Sequence, residues 1–324
     1  MTAVNALRRP HSGQQQRGAA LLTAMIIVAL IVTLAASMVW QQWRAVQVEV
    51  AERARAQSAW ILSGALDWAR LILREDARNA RPTWLGEPMF TQLAEARLST
   101  FLAADKDNNS EGGPEAFLSG SIVDAQSRYN VRNLVRDSAV QPDEIEALQR
   151  LCTTAGVDIG VATTLGTALN AALVVASTKT NFDAPLLPQS LSQLTWFGID
   201  AETIARLAPY IVLLPVSTPL NVNTASAEVL AAAIKGLDLA SAQRLLQYRQ
   251  RTAFKNLQDI ETQVPRVAPL NPKQISVNSN YFEVHGRLRL DERVLDRVSL
   301  VERRGLEVIV LQRELVSSRE QSGS

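Results

Sequence analysis

The sequence predicts an α+β protein. A long N-terminal helix crosses a membrane and continues into a soluble domain with an antiparallel sheet, and an all-α insertion interrupts that domain. Three observations carry this expectation. No charged side chain occurs from Gly18 to Trp43, and the apolar run to about Trp40 supplies the roughly 20 helical residues a bilayer core requires. Past Pro272, apolar and polar residues alternate through Tyr281–Leu290, Val294–Arg303 and Leu306–Leu315, the period of half-buried strands. Between these regions, from Pro142 to about Leu270, short segments start at Asp or Pro and stop at Gly, as short helices do.

Arg8, Arg9 and Arg17 precede the apolar run. The positive-inside rule therefore puts the N-terminus in the cytoplasm and residues beyond about 44 on the far side, with Trp40 and Trp43 as interfacial anchors. Three readings fit this start. A secretory signal would be cut near Ala35-Ala36-Ser37, but the run is too long and continues past that site. An ordinary signal anchor is the second. The preferred reading is a leader, residues 1–18, cut on the cytoplasmic face after Gly18, because a short basic segment meets the span at a small residue with no spacer.

Composition narrows the function classes. The 324 residues carry 33 Lys+Arg against 32 Asp+Glu. Without residues 1–18 the balance is 30 to 32, too neutral for a strong nucleic-acid-binding field. Cys152 is the one cysteine, so no intrachain disulfide forms. No Gly-rich phosphate loop or Cys/His ligand set appears. His285, mid-strand beside Gly286, and Cys152, in an amphipathic helix, read as structural. An enzyme is not expected.

Along the chain, Ala45 to about Arg78 continues the first helix, with a buried stripe expected near Trp60, Ile61, Ala65, Trp68, Leu71 and Ile72, until Arg81-Pro82 stops it. Met89 to Leu102 reads as a short helix or loop. Ile122-Val123 and Tyr129/Val131 read as short strands around Ala125-Gln126-Ser127. Within the helical block, Leu191–Ile204 and Ala227–Asp238 both run helix, Gly turn, helix, as a duplication would. Arg304-Gly305 is the turn of a late hairpin. Early strands alone are marginal, so they are expected to pair with the late ones, which makes the helical block an insertion.

The motifs then become specific. Gly18 before an uncharged span, a continuing helix and a late antiparallel sheet resemble a type IV pilin-like protein. Tyr129-Asn-Val-Arg-Asn-Leu134, Leu213-Leu-Pro215 and Leu220-Asn-Val-Asn-Thr-Ala225 resemble the K family of minor pseudopilins of type II secretion. The family-motif positions are Asn130, Asn133, Asn221, Asn223 and Thr224, whose side chains are expected to cap helix starts or lock turns. The resemblance implies a leader at 1–18, a transmembrane helix at 19–41, a pilin-like α+β domain from 42–137 and 272–316, a helical insertion at 138–271 and a disordered tail at 317–324. It implies cleavage at Gly18, N-methylation of Ala19 by a prepilin peptidase, and a single-pass inner-membrane protein with a periplasmic head. The implied partners are the I and J minor pseudopilins, other pseudopilins and the inner-membrane platform, in a tip complex that starts or limits filament growth. The insertion would overhang the other subunits and block addition above it.

Thr23 is the fifth residue after the cleavage point. Related major subunits carry Glu there, and a carboxylate in a membrane needs a cation such as the amine of the preceding subunit. A first subunit has no predecessor, so Thr23 suits the tip. Residues 220–260 also resemble a helix-hairpin-helix (SAM-like) unit, which keeps open a membrane-anchored DNA-binding protein of a competence-like system. Against it, the turn Gly236-Leu237-Asp238 puts an acid where a phosphate-binding turn has its second Gly. Asp105-x-Asp107-x-Asn109-x-Glu111 has the oxygen spacing of a calcium loop but lacks its Gly and its terminal Glu. A solvated loop is the preferred reading, and calcium is the one cofactor left open.

Overall fold

The computed structural model describes residues 15–79, 81–98, 116–178, 185–265, 267, 269–290 and 293–316. Residues 1–14, the acidic stretch 105–111 and the tail 317–324 lie outside the described residues. The chain divides into two compact units after Trp60.

The first unit is the bulk of helix α1, Gln15–Arg78. Its apolar side chains from Leu21 to Trp43 are all exposed, and this stretch is long and apolar enough to cross a bilayer. At its polar end the Arg44 guanidinium lies 5.1 Å from the Trp40 ring centroid, a cation–π contact suited to an interface.

In the second unit, five antiparallel strands form one sheet: β1 (Leu93–Arg97), β2 (Ala116–Asp124), and, much later, β9 (Tyr281–Leu290), β10 (Arg293–Arg304) and β11 (Glu307–Val316), in the order β1-β2-β9-β10-β11. The early β2 thus pairs with the late β9. The last turn is centred on Gly305-Leu306, one residue later than the sequence indicates, because Arg304 still pairs with Glu307. Strand β1 falls where a helix or loop is expected. Leu-Ala-Glu-Ala-Arg favours a helix, and pairing with β2 overrides that local preference.

The end of α1 covers this sheet with Leu66, Ala69 and Leu73, packed on Ile122, Phe282, Val284, Val301 and Val308. The buried stripe is Leu62, Leu66, Ala69 and Leu73, one residue off the expected one; Trp60, Trp68 and Leu71 are exposed. Close approach explains the choice: a Cβ on Gly286 would lie 3.2 Å from Leu62. A sheet approached so closely accepts Leu and Ala, and an indole is too bulky for it.

Between β2 and β9 the chain builds a helical block: α2 (Pro142–Ala155), α3 (Gly160–Thr178), a 3₁₀ segment Leu191–Phe197, α4 (Ala201–Leu207), α5 (Ala227–Ala233), α6 (Leu239–Arg251) and α7 (Leu257–Gln263). It closes over its own core, including Leu148, Leu151, Cys152, Leu165, Leu169, Leu230, Leu245 and Phe254. Small two-residue strands stitch it: β3 (Tyr129–Asn130) with β6 (Ile211–Val212), β4 (Val135–Arg136) with β5 (Ala139–Val140), and β7 (Leu220–Asn221) with β8 (Ile275–Ser276). Of the expected strand Tyr129/Val131, Tyr129 does open a strand, β3, paired in parallel with Ile211, whereas Val131 lies in a 3₁₀ turn, and both join the core of the helical block. Packing is therefore already that of the helical block at 129–135, upstream of the expected boundary at 138.

Candidate functional site

The five motif residues are all buried, Asn221 at 0% exposure, and they fall into two adjoining groups. In the first, Asn130 starts the 3₁₀ turn Val131–Leu134 by accepting from Arg132 N (3.0 Å). Its Oδ1 also accepts from Leu214 N (3.1 Å), and its Nδ2 donates to Val216 O (2.8 Å) and Thr218 Oγ1 (2.9 Å). Asn133 accepts from Ser217 Oγ (2.7 Å) and Thr218 N (3.0 Å), and donates to Thr218 O (2.9 Å). Two amides thus replace the ladder that Leu214–Thr218, carrying Pro215, lacks.

The second group surrounds Asp124, the last residue of β2. Its Oδ1 accepts from Gln126 N (2.8 Å). Its Oδ2 accepts from Thr224 Oγ1 (2.6 Å), Ser279 Oγ (2.6 Å) and Asn221 Nδ2 (3.0 Å). Asn221 also donates to Thr83 O (3.0 Å) and meets Ser279 Oγ (2.9 Å), while its Oδ1 accepts from Asn223 N (2.9 Å). Asn223 exchanges a pair of bonds with the Phe254 backbone, both 2.9 Å. Gln126 donates to Pro219 O (2.8 Å) and accepts from Asn280 N (2.6 Å). Burial pushes the Asp124 carboxyl above its ordinary range; the bonds from Ser279, Thr224, Gln126 N–H and Asn221 oppose that without cancelling it.

Chemically this cluster is buried and has its donors and acceptors turned on one another, so it serves architecture. Asp124, Gln126, Thr83, Thr218 and Ser279 were not nominated by the sequence. Asp124 carried a faint signal, an Asx start two residues before Gln126. Thr83 and Ser279 carried none, since their partners are distant in sequence.

The other candidates are placed as follows. Gly18 and Ala19 lie within α1. Thr23 Oγ1 donates to Ala20 O (2.9 Å) and Ala19 O (3.1 Å), so its hydroxyl is satisfied within its own helix and adds no charge. The turn at Gly236 (φ 85°) is followed by buried Leu237 and by Asp238, whose carboxylate accepts from Ser241 N (2.6 Å) at the start of α6. Gly198 (φ 81°), Ile199 and Asp200 repeat the device, with Thr203 N at 2.8 Å. Only glycine adopts such φ values cheaply. The helix start that a phosphate would need is filled by the protein's own carboxylate, and in both turns the first N–H bond pulls the Asp pKa below its ordinary value. His285 Nε2 lies 3.5 Å from Glu283 Oε2, and that carboxylate also meets Arg128 at 2.6 Å. Cys152 is fully buried and burial pushes its thiol up to about 11, which makes it inert. Among the described residues no His/Cys/Asp/Glu group is arranged to hold a metal.

Two family profiles, both described as Type II secretion system (T2SS), protein K, match residues 127–216 and 220–282. The first contains Asn130 and Asn133, the second Asn221, Asn223, Thr224 and Ser279. The chain is 27% identical to the type II secretion system protein K of Pseudomonas aeruginosa, over 92% of this chain and 89% of that protein. It is 27% identical to that of Pectobacterium carotovorum, over 93% and 96%. Among solved structures it matches a chain of the GspK-GspI-GspJ complex from enterotoxigenic Escherichia coli with a TM-score of 0.59 at 18% identity, covering 83% of this chain and 99% of that one.

Proposed function

We propose, from the premise that this chain belongs to the protein K family of type II secretion systems and is one of their minor pseudopilins, that it sits at the tip of the pseudopilus with the I and J minor pseudopilins. There it starts or limits filament growth during protein export across the outer membrane, as a filament subunit rather than a catalyst. The observation that carries the reading is the joint one: an apolar N-terminal helix, a five-stranded antiparallel sheet and a helical block between β2 and β9, in a chain whose fold matches one from a GspK-GspI-GspJ complex.

Before assembly, α1 holds the chain in the inner membrane, with its N-terminus cytoplasmic and its head periplasmic. This rests on Arg8, Arg9 and Arg17 preceding the span. A prepilin peptidase cuts after Gly18 and methylates the amine of Ala19. Thr23 is uncharged and self-satisfied. It asks nothing of a preceding subunit, which fits a subunit that has none. The helical block obstructs addition of another subunit above it.

Mass spectrometry of the mature N-terminus tests this. N-methylated Ala19 is the expected product, whereas a start near Met38 overturns the pseudopilin processing. Co-purification with I and J from membranes is expected to persist when Thr23 is kept and to weaken when the helical block is deleted.

A further inference from the structure

The chain passes from sheet to helical block at Ala125–Arg128 and returns at Val277–Asn280. Two covalent crossings side by side make a hinge: they hold two bodies together but leave rotation about the line joining them. The small apolar contact there, Ala125 and Tyr281 with Val212 and Leu214, resists separation more than rotation, because apolar contact is non-directional.

Asn221 lies on neither crossing. It sits in β7, within the block, and its amide reaches three separate places: Thr83 O in the segment after α1, Asp124 at the end of β2 and Ser279 before β9. Thr83 is itself fully buried and fixed on every polar atom. Its N–H donates to Val277 O (3.1 Å), and its hydroxyl meets Arg303 Nη2 (3.2 Å) and Ser279 N (3.4 Å). Arg303 in turn pairs with Asp76 in the last turns of α1 at 2.6 Å and donates to Ser279 O (2.9 Å). Unlike apolar contacts, these bonds are directional.

We propose that Asn221 is a positioning residue that locks the helical block at one angle to the sheet and to the end of α1, converting a two-strand hinge into a rigid joint. The proposal rests on the filament reading for its use: a subunit that must obstruct growth needs a block that does not swing.

The test is a distance measurement on the purified full-length chain in detergent, which does not depend on filament assembly. A failure of the filament reading would leave its outcome unchanged. Spin labels at Gln247→Cys on α6 and Arg313→Cys on β11, both exposed positions, are introduced in a Cys152→Ala background. With Asn221 intact one narrow distance distribution is expected. Asn221→Ala should at least double its width or add a second distance, while slow hydrogen exchange persists in Leu165–Leu169 and Val284–Leu288. An unchanged distribution overturns the proposal. So does broadening accompanied by loss of protection in either core, because Asn221 would then hold a core rather than the joint. Should that variant not fold, Ser279→Ala, which removes one donor to Asp124 and one partner of Asn221, is read by the same criteria.

Discussion

Asp124, buried, and Glu283, half-buried, are carboxylates on neighbouring strands, one residue apart in register, since Asp124 faces Phe282 and Val123 faces Glu283. They are stabilised in opposite ways. Asp124 is surrounded by neutral donors, and burial wins, raising its pKa. Burial also pushes Glu283 upward, but His285 and the Arg128 guanidinium more than reverse it, so its pKa ends below the ordinary value. Neutral hydrogen bonds fix geometry without fully compensating lost hydration, whereas a nearby cation compensates the charge as well. The joint between sheet and helical block uses the first kind, which suits a place where direction matters.

The largest expected effect breaks the Asp124 side of this pair. Asp124→Ala strands the donors of Gln126, Thr224 and Ser279, while the Asn221 amide keeps Thr83 O, and each buried unpaired donor costs about 1–3 kcal/mol. Urea denaturation should show a loss of about 3–5 kcal/mol. A loss under 1 kcal/mol would mean that water replaces the carboxylate without penalty.

Next comes Glu283→Gln, expected to cost about 1–3 kcal/mol at pH 7 by leaving Arg128 short of its counter-charge. The two carboxylates should also differ in pH dependence. Glu283 has a depressed folded pKa, so its contribution is present above about 4.5 and is lost as pH falls through the folded value. Asp124 has a raised one, so its proton-linked contribution is full below about 3.8 and declines as pH rises toward the folded value. Comparing melting temperatures of wild type with Glu283→Gln and with Asp124→Asn across pH 3–7 should give difference curves of opposite slope. Parallel slopes would remove the distinction.

The smallest effect sharpens it at a third carboxylate. Burial lifts Glu87 to about 7, with the nearby Asp76 adding to the rise and the bond from Trp84 N–H and the charge of Arg303 opposing it. Its folded pKa lies above its unfolded one, so its contribution is complete below about 4.5 and fades by about 7. Glu87→Gln should leave the melting temperature nearly unchanged at pH 4.5 and flatten the decline between pH 4.5 and 7. An unaltered decline would assign it to another group.

What the sequence made legible follows from range. Strands β9, β10 and β11 could be bounded to within a residue or so, because alternation repeats over ten residues. The helices of the block could be placed because their starts and Gly turns are local, as at Asp200, Asp238, Gly198 and Gly236. Strand β1 could not, because its identity comes from β2, beyond a long intervening segment. The stripe on α1 differs from the expected one because Leu62, Leu66, Ala69 and Leu73 compete with an equally periodic row of larger side chains, and the nearby Gly286 decides between them. The asparagines were visible as a motif, but their partners were not: Thr83, Asp124 and Ser279 are single polar residues with no period, 58 to 138 positions from Asn221.

That sequence separation has a kinetic consequence. Bonds spanning such distances carry a large loop-closure entropy until the intervening chain has already organised. The Asp124 contacts should therefore be absent from the folding transition state, and weakening them should hasten opening of the native molecule more than it slows its formation. The lifetime of the folded molecule, and with it exposure to proteases, should then shorten when Asp124, Asn221, Thr224 or Ser279, all buried, is weakened.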